Sequence, residues 1–421
     1  MRDIVVTLIV IVGCFYTFKR PYIGILLWSW ISYMNPHRLS WGFAYSMPFA
    51  KITALCLLLS LLFSKDRQRI PINSISIPWI LFLLWMLLTT IFSYYTEPAF
   101  EMFSRVIKIQ LISLITIVLI NNIEKLRQLI WVIVLSIGYF SIKGGLFTIL
   151  TGGSHRVWGP PGSYIEDNNA LAVAVIMVIP LMIYLYQTVD NQKVKTGMLV
   201  AVILSFFTAL GSQSRGALLA IGAIGLIFWL KSSSKILSGG VIAVMVSILL
   251  VFMPETWYQR MNTMQTYDSD HSAMTRLSAW EYALNVANDN IIGLGFQAFS
   301  YETFLIYNFK AADQWQGAHS IYFLVLGDHG WPGLFLFLLI FFQVRNVLKG
   351  IIKKTNDDEN LKEYNILAKM ILISLVAYLV GGAFLSLSYY DLPWHLVSFV
   401  VILKIMVDKA VNTRVAEHDF S

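Results

Sequence analysis

Asn168-Asn-Ala-Leu-Ala-Val-Ala-Val-Ile-Met-Val-Ile-Pro-Leu-Met-Ile-Tyr-Leu-Tyr-Gln187 contains no charged side chain. As a helix, a run of this length covers about 30 Å, the thickness of a bilayer's hydrocarbon core. Apolar runs of about 15–22 residues, roughly enough to cross a bilayer, recur along the chain at 4–18, 21–34, 49–64, 77–94, 105–120, 129–150, 197–213, 215–230, 236–253, 331–349, 366–386 and 393–408. Together with 168–187 they make 13 spans, or 12 if one of the two short leading runs is fused or demoted. Composition agrees with this reading. Hydrophobic residues make up 57% of the 421 and charged residues 13%, whereas a soluble domain carries about 25% charged residues. The mean hydropathy is +0.66. Too few polar side chains are present to cover a water-facing surface, which excludes a disordered chain, a coiled coil and a soluble α/β enzyme. The expected fold is an all-α polytopic membrane protein of 12–13 transmembrane helices.

Orientation follows from the basic loops. Lys65/Arg67/Arg69, Lys125/Arg127, Lys193/Lys195, Lys231/Lys235, Lys349/Lys353/Lys354 and Lys409/Arg414 fall on one side of the alternating spans, and the positive-inside rule makes that side cytoplasmic. The net charge of +7 therefore reports topology and does not call for nucleic acid. Loops 35–48, 95–104, 151–167 and 254–330 lie opposite, facing a periplasm or its equivalent. The chain divides into membrane helices over 1–253, an external loop domain over 254–330, and membrane helices with a cytoplasmic tail over 331–421. The first run follows Met1-Arg2-Asp3 with no small-residue cleavage site after it, and reads as a retained span.

Two cysteines, Cys14 and Cys56, both inside apolar runs, support neither a disulfide framework nor a thiolate metal site. Phosphate-loop, dinucleotide, zinc-protease and nucleophile-elbow motifs are missing. Asp268 and Asp270 read as solvated carboxylates, and no metal or cofactor is expected.

The loop 254–330 is the one extramembrane part large enough to have structure of its own. Thr275 to Ala287 reads as an amphipathic helix with Leu277, Trp280, Leu284 and Ala287 on one stripe. Gly293-Leu-Gly295-Phe reads as a turn, and 297–308 as a second helix rich in aromatics.

A charged group near membrane depth is costly to insert, so the polar residues on the external side carry the functional signal. Gly211-Ser-Gln-Ser-Arg215-Gly216 opens a span. Ser212 and Ser214 suit an N-cap, and the first-turn N–H groups with the Arg215 guanidinium form an anion site suited to phosphate. The competing reading is an arginine snorkelling at a helix end. Arg276 begins the amphipathic loop helix, where the plainer role is a solvated or Glu281-paired side chain. Arg156, in a Pro- and Gly-rich turn, and Asn168-Asn169, with Asn168 as a cap of the next span, read as lining residues. His319, in Gln316-Gly-Ala-His319-Ser-Ile-Tyr322, precedes an apolar helix, with Tyr322 one turn on. A neutral imidazole there is suited to take a proton from a hydroxyl. His329 after Asp328, and His395 four residues after Asp391, are competing bases.

The ordered set Ser214-Arg215-Gly216, Arg276 with Trp280, Asn290-Ile-Ile-Gly293-Leu-Gly295-Phe, His319-Ser-Ile-Tyr322 and Gly330-Trp-Pro-Gly333 resembles the O-antigen ligase/polymerase superfamily of polytopic, GT-C-like membrane glycosyltransferases. Asn35-Pro-His-Arg38 and Arg156-Val-Trp-Gly-Pro before Asn168-Asn169 resemble its exosortase-associated O-glycosylation ligase branch. The resemblance implies a glycan donor on undecaprenyl diphosphate, an acceptor hydroxyl on a lipid A core or a protein, no metal or nucleotide, and a bacterial inner-membrane location. It casts Arg215 and Arg276 as diphosphate ligands and His319 as the base. A polymerase that joins lipid-linked repeat units uses the same chemistry. A transporter or flippase is the rival of another class, and would show midplane charges and inverted repeats.

Overall fold

The computed structural model describes residues 1–63, 67–231, 234–237, 239–240, 243–244, 247, 255, 258 and 271–419. Among them there is no strand, and the chain is an all-α polytopic membrane protein. The helices are α1 (Arg2–Lys19), α2 (Tyr22–Met34), α3 (Phe49–Phe63), α4 (Ser76–Ile91), α5 (Thr96–Leu119), α6 (Ile123–Leu150), α7 (Asn168–Thr188), α8 (Gln192–Gly211), α9 (Arg215–Lys231), α10 (His271–Asp289), α11 (Tyr301–Tyr307), α12 (Ile321–Thr355), α13 (Lys362–Gly381) and α14 (Asp391–Asp419). Twelve of the expected spans fall on these helices. The thirteenth, 236–253, lies largely outside the described residues, as do 259–270 with Asp268 and Asp270. Among the described residues, six helices (α5, α6, α7, α8, α12, and the α13 region out to Phe384) are long and apolar enough to cross a membrane, and four shorter apolar ones accompany them.

The uncharged stretch 168–187 becomes the centre of the bundle. Residues 170–178 of α7 are all buried, as expected of a helix that is apolar on every side. It packs against α6, α8, α9 and α13. Glycines let the neighbours close in: a Cβ on Gly145 of α6 would stand 2.2 Å from the Leu204 carbonyl oxygen of α8. The peripheral helices are apolar on the outside instead. Leu8, Ile11 and Phe15 of α1, Leu55 and Leu62 of α3, and Leu84 of α4 are exposed, the surface that lipid solvates without penalty.

Two loop expectations give way to helix. Residues 96–104 form the first turns of α5 rather than a loop, because Ala99 packs inward while Glu97 and Glu101 stay exposed. Likewise α12 begins at Ile321, ten residues before the expected span, and is broken at Gly330, whose backbone is non-helical (φ 63°, ψ −169°). The break is packed from outside. Leu294 and Gly295 donate backbone hydrogen bonds to Gly327 and Asp328 carbonyls at 3.1 and 2.8 Å, and Tyr94 N–H reaches the Leu294 carbonyl at 2.8 Å. Gly293 and Gly295, both at positive φ, lie where a Cβ would strike Gly330 or Ser93. The expected turn is therefore real, and it is the clasp between the loop and the bundle.

The amphipathic loop helix forms, but with a different inner face. Ala279, Tyr282, Ala283, Val286 and Ala287 of α10 are buried, while Leu277 and Leu284 are each 37% exposed. Small residues allow close approach, and Tyr282 supplies the bulk. Its ring stacks on Phe304 of α11 at 4.1 Å, and its hydroxyl is hydrogen-bonded to Thr303 at 2.8 Å.

Candidate active site

Hydrogen bonding assigns the helix ends. Glu363 at the start of α13 takes a bidentate pair from Arg127 near the start of α6, at 2.6 and 2.7 Å, and a hydroxyl from Tyr184 near the end of α7 at 2.7 Å. This is the end of the bundle rich in lysine and arginine. At the opposite end the starts of α7, α9 and α12 come together with the α10 helix.

Each of these starts is capped. Asp167 caps α7, accepting from Asn169 and Ala170 N–H at 2.9 and 3.3 Å. The expected cap, Asn168, is instead buried and donates its side-chain amide to the Ser212 carbonyl at 2.6 Å, tying α7 to the α8–α9 turn. Aspartate out-competes it because its carboxylate also faces the positive dipole end of the helix. Ser214 caps α9, accepting from Ala217 N–H at 3.2 Å, and Ser212 Oγ accepts from Ser214 N–H. Ser320 caps α12, accepting from Tyr322 N–H at 3.3 Å. Positive helix ends clustered on one side of a bundle are suited to anions.

The residues just before α9 and α12, Gln213 and His319, both adopt positive φ (55° and 43°). Left-handed backbone is uncommon outside glycine, and such strain persists only where surrounding contacts hold it. Gln213 is held by its side-chain amide on the Gly153 carbonyl at 3.1 Å. His319 is held at its N–H by Ser386 Oγ at 3.0 Å. One residue earlier, the Ala318 carbonyl accepts the Trp280 indole N–H at 2.9 Å. Trp280 is fixed in turn by stacking on Phe323, with centroids 4.9 Å apart and planes 10° off parallel.

The segment 381–386 knits the site together. A Cβ on Gly216, next to Arg215, would lie 3.4 Å from Phe384 Cβ and 3.5 Å from the Gly381 carbonyl. Phe384 lies 6.4 Å from the Trp280 ring, and Ser386 holds His319. Arg215, Trp280 and His319 thus border one segment. Arg276 joins them electrostatically. Burial lowers the His319 pKa first, the Arg276 charge lowers it further, and Asp167 pulls it back up. His319 is accordingly mostly neutral near pH 7.

The remaining sequence-derived residues divide. Asn169 is half-buried and donates to Asp167 at 3.0 Å, beside His319's field. Arg156 is exposed, and the next residue, Val157, donates its N–H to the Gly211 carbonyl at 3.2 Å, on the turn that leads to Arg215. Tyr322, one turn on from His319, turns toward α13. Its hydroxyl is committed to the Leu379 carbonyl at 2.9 Å, and its ring lines an apolar groove of about 320 Å³ between α9, α12 and α13. The competing bases are fully buried: His329 bonds Thr89 at 2.7 Å and His395 bonds Tyr33 at 2.6 Å. No group of three or more His, Cys, Asp or Glu able to hold a metal occurs among the described residues.

Asp167, Phe384 and Ser386 were not singled out from sequence. Asp167 stands directly before Asn168-Asn169, and its capping preference was the available signal. Ser386 ends an apolar run, where nothing marks it.

Residues 200–338 match the family described as O-antigen ligase, a region that contains Arg215, Arg276, Trp280 and His319. That match supports an enzyme of the membrane glycan ligase or polymerase type, with lipid-linked glycan and acceptor substrates. Residues 1–190, which end in the α7–α8 turn, match a family of unknown function, DUF5935. No curated protein matches the chain.

Proposed function

We propose that the chain is a bacterial inner-membrane glycosyltransferase that moves a glycan from undecaprenyl diphosphate to an acceptor hydroxyl at the external face. The observation that carries this reading is the shared setting of Arg215 at the capped start of α9 and a neutral His319 before the capped start of α12, with the Arg276 charge of α10 acting on His319. Arg215 and Arg276 hold the diphosphate, and 254–330 acts as the external domain that brings Arg276 to it. Arg156 and the Asn168–Asn169 pair line the donor side. Motifs 35–38 and 156–169 favour the exosortase-associated branch and hence an O-glycosylation role.

The acceptor oxygen attacks the anomeric carbon while the bond from that carbon to the diphosphate oxygen breaks. The electron pair leaves with the diphosphate, and His319 takes the acceptor proton. Backside attack inverts the anomeric centre. Charge grows on the leaving group as the bond lengthens, so the arginines stabilise the transition state more than the ground state. One such pair at 4 Å contributes about 4 kcal/mol at an effective dielectric near 20. Trp280 is a positioning residue, because its N–H holds the backbone beside His319.

Reconstitution with a synthetic polyprenyl-diphosphate glycan and candidate acceptors, read by mass spectrometry, tests this. His319→Ala should insert normally and lose about 10²–10⁴-fold in transfer. Full activity in that variant removes His319 from the chemistry. Arg215→Ala should weaken donor binding, and unchanged donor affinity returns Arg215 to a snorkelling role. A product ladder that grows without a separate acceptor identifies a polymerase.

A further inference from the structure

A cavity of mixed polar and apolar lining lies at the same end of the bundle, walled by the 1–190 region and the start of α14. Its volume is about 250 Å³, and Ser32, Tyr33, Arg38, Tyr164, Tyr390 and Asp391 line it. The chain assembles it deliberately. Asn35, at positive φ, ends α2 and donates its side-chain amide to the Pro161 carbonyl at 2.8 Å, which closes the 159–166 turn over the opening. That turn is itself locked, with Gly159 N–H on the Glu166 carbonyl at 2.9 Å and Gly162 N–H on the Glu166 carboxylate at 2.8 Å. The Arg38 guanidinium is fixed 4.5 Å above the Tyr45 ring.

The lining is under-used by the protein. Asp391 is 3% exposed; Ser32 Oγ donates to its Oδ2, and its Oδ1 has no partner. The hydroxyls of Tyr164 and Tyr390 are buried with no partner. A buried polar atom left unsatisfied is costly, so three such atoms on one small cavity call for a ligand. The chemistry narrows its class. Asp391 opposes phosphate, Arg38 opposes a simple cation, and the unpartnered polar atoms of Tyr164, Tyr390 and Asp391 oppose a lipid tail. Acceptor and donor groups beside aromatic faces suit a ring that bears several hydroxyls on an apolar carbon frame. The volume lies below the ~300–1,000 Å³ of drug-sized sites, which fits one ring.

Two short stretches of chain join this cavity to residues that act on His319. Tyr164 is three residues from Asp167, whose charge acts on His319, a span of at most about 11 Å. Tyr390 is four residues from Ser386, the partner of His319 N–H, at most about 14 Å.

We propose that the cavity formed by the α2 end, the 159–166 turn and the start of α14 is a saccharide subsite that holds one sugar ring of the glycan or acceptor being joined at His319. The assignment of that ring to a substrate rests on the function proposed above, whereas its occupancy by a sugar does not. The probe is a set of methyl glycosides (glucose, galactose, mannose, N-acetylglucosamine, rhamnose), observed by saturation-transfer NMR on the full-length protein in nanodiscs. At least one glycoside should receive saturation. The Tyr164→Phe/Tyr390→Phe double variant should lose that signal at least tenfold, as should Asp391→Asn. Removing hydroxyls that bond nothing in the protein leaves folding intact, so the double variant stays informative even if Asp391→Asn fails to insert. His319→Ala should retain the signal, which separates failure of the subsite from failure of the transfer chemistry. In transfer assays a raised KM for acceptor alone places the ring on the acceptor, and for donor alone on the donor. Either result supports the subsite. No saturation of any glycoside, or equal saturation in the double variant, overturns it.

Discussion

Arg276 and Asp167 act on His319 with opposite sign, and this sets a pH signature. A general base works only when unprotonated, so rate falls as pH drops through its pKa. Because the His319 pKa lies below its usual 6.5, the midpoint of the wild-type acid limb should fall below pH 6.5. Arg276→Gln removes a charge that lowers the pKa, so the acid limb of its residual activity should move to higher pH. Asp167→Asn removes the opposing charge and should move the limb lower. Asparagine caps helices about as well as aspartate, so α7 is preserved in that variant. Limbs that coincide in all three proteins would exclude His319 as the titrating group. None of this coupling was legible in the sequence, since Asp167 and His319 stand far apart in the chain and only folding brings their charges together. His319, Arg215 and Arg276 themselves were legible, because charged and titratable side chains beside apolar runs demand an explanation.

At the scale of elements, helix identity was legible and helix faces were less so. The runs that became α6, α7, α8 and α13 announce themselves by length and by carrying at most one charge each. The inner face of α10 did not, because apolar periodicity weights Leu277 and Leu284 above Ala279 and Ala283, while close packing favours the small residues. Close packing also decides which glycines matter. Gly145→Ala would place a methyl group 2.2 Å from the Leu204 carbonyl and push α6 off α8. Overpacking of this kind costs about 1–3 kcal/mol, and thermal unfolding in detergent should show a lower midpoint. Gly197→Ala on the same helix pair meets nothing within 4 Å, and should be neutral or slightly stabilising through helix propensity. Equal midpoints for the two variants would contradict the α6–α8 contact.

For the whole molecule, the expected sidedness is open to direct measurement. In a C14A/C56A background, a single cysteine at Ser154 should react with an impermeant maleimide added outside intact spheroplasts. One at Lys193 should react only after lysis. Both positions are exposed, so a reversed pattern would turn the site toward the cytoplasm and defeat the proposed chemistry. The order in which the chain is made bears on α7 in another way. Its wall of partners is completed by α13, about 190 residues later, which at ~5–20 residues per second is on the order of ten to forty seconds of synthesis. Until then this helix, apolar on every side, has only lipid around much of its circumference, and Asn168 cannot meet Ser212 until α8 has been threaded. Assembly of the bundle's centre is therefore one of the last events of biogenesis. A ribosome stalled before α13 would leave a nascent chain that is inserted but unpacked, the form most open to membrane quality-control proteases.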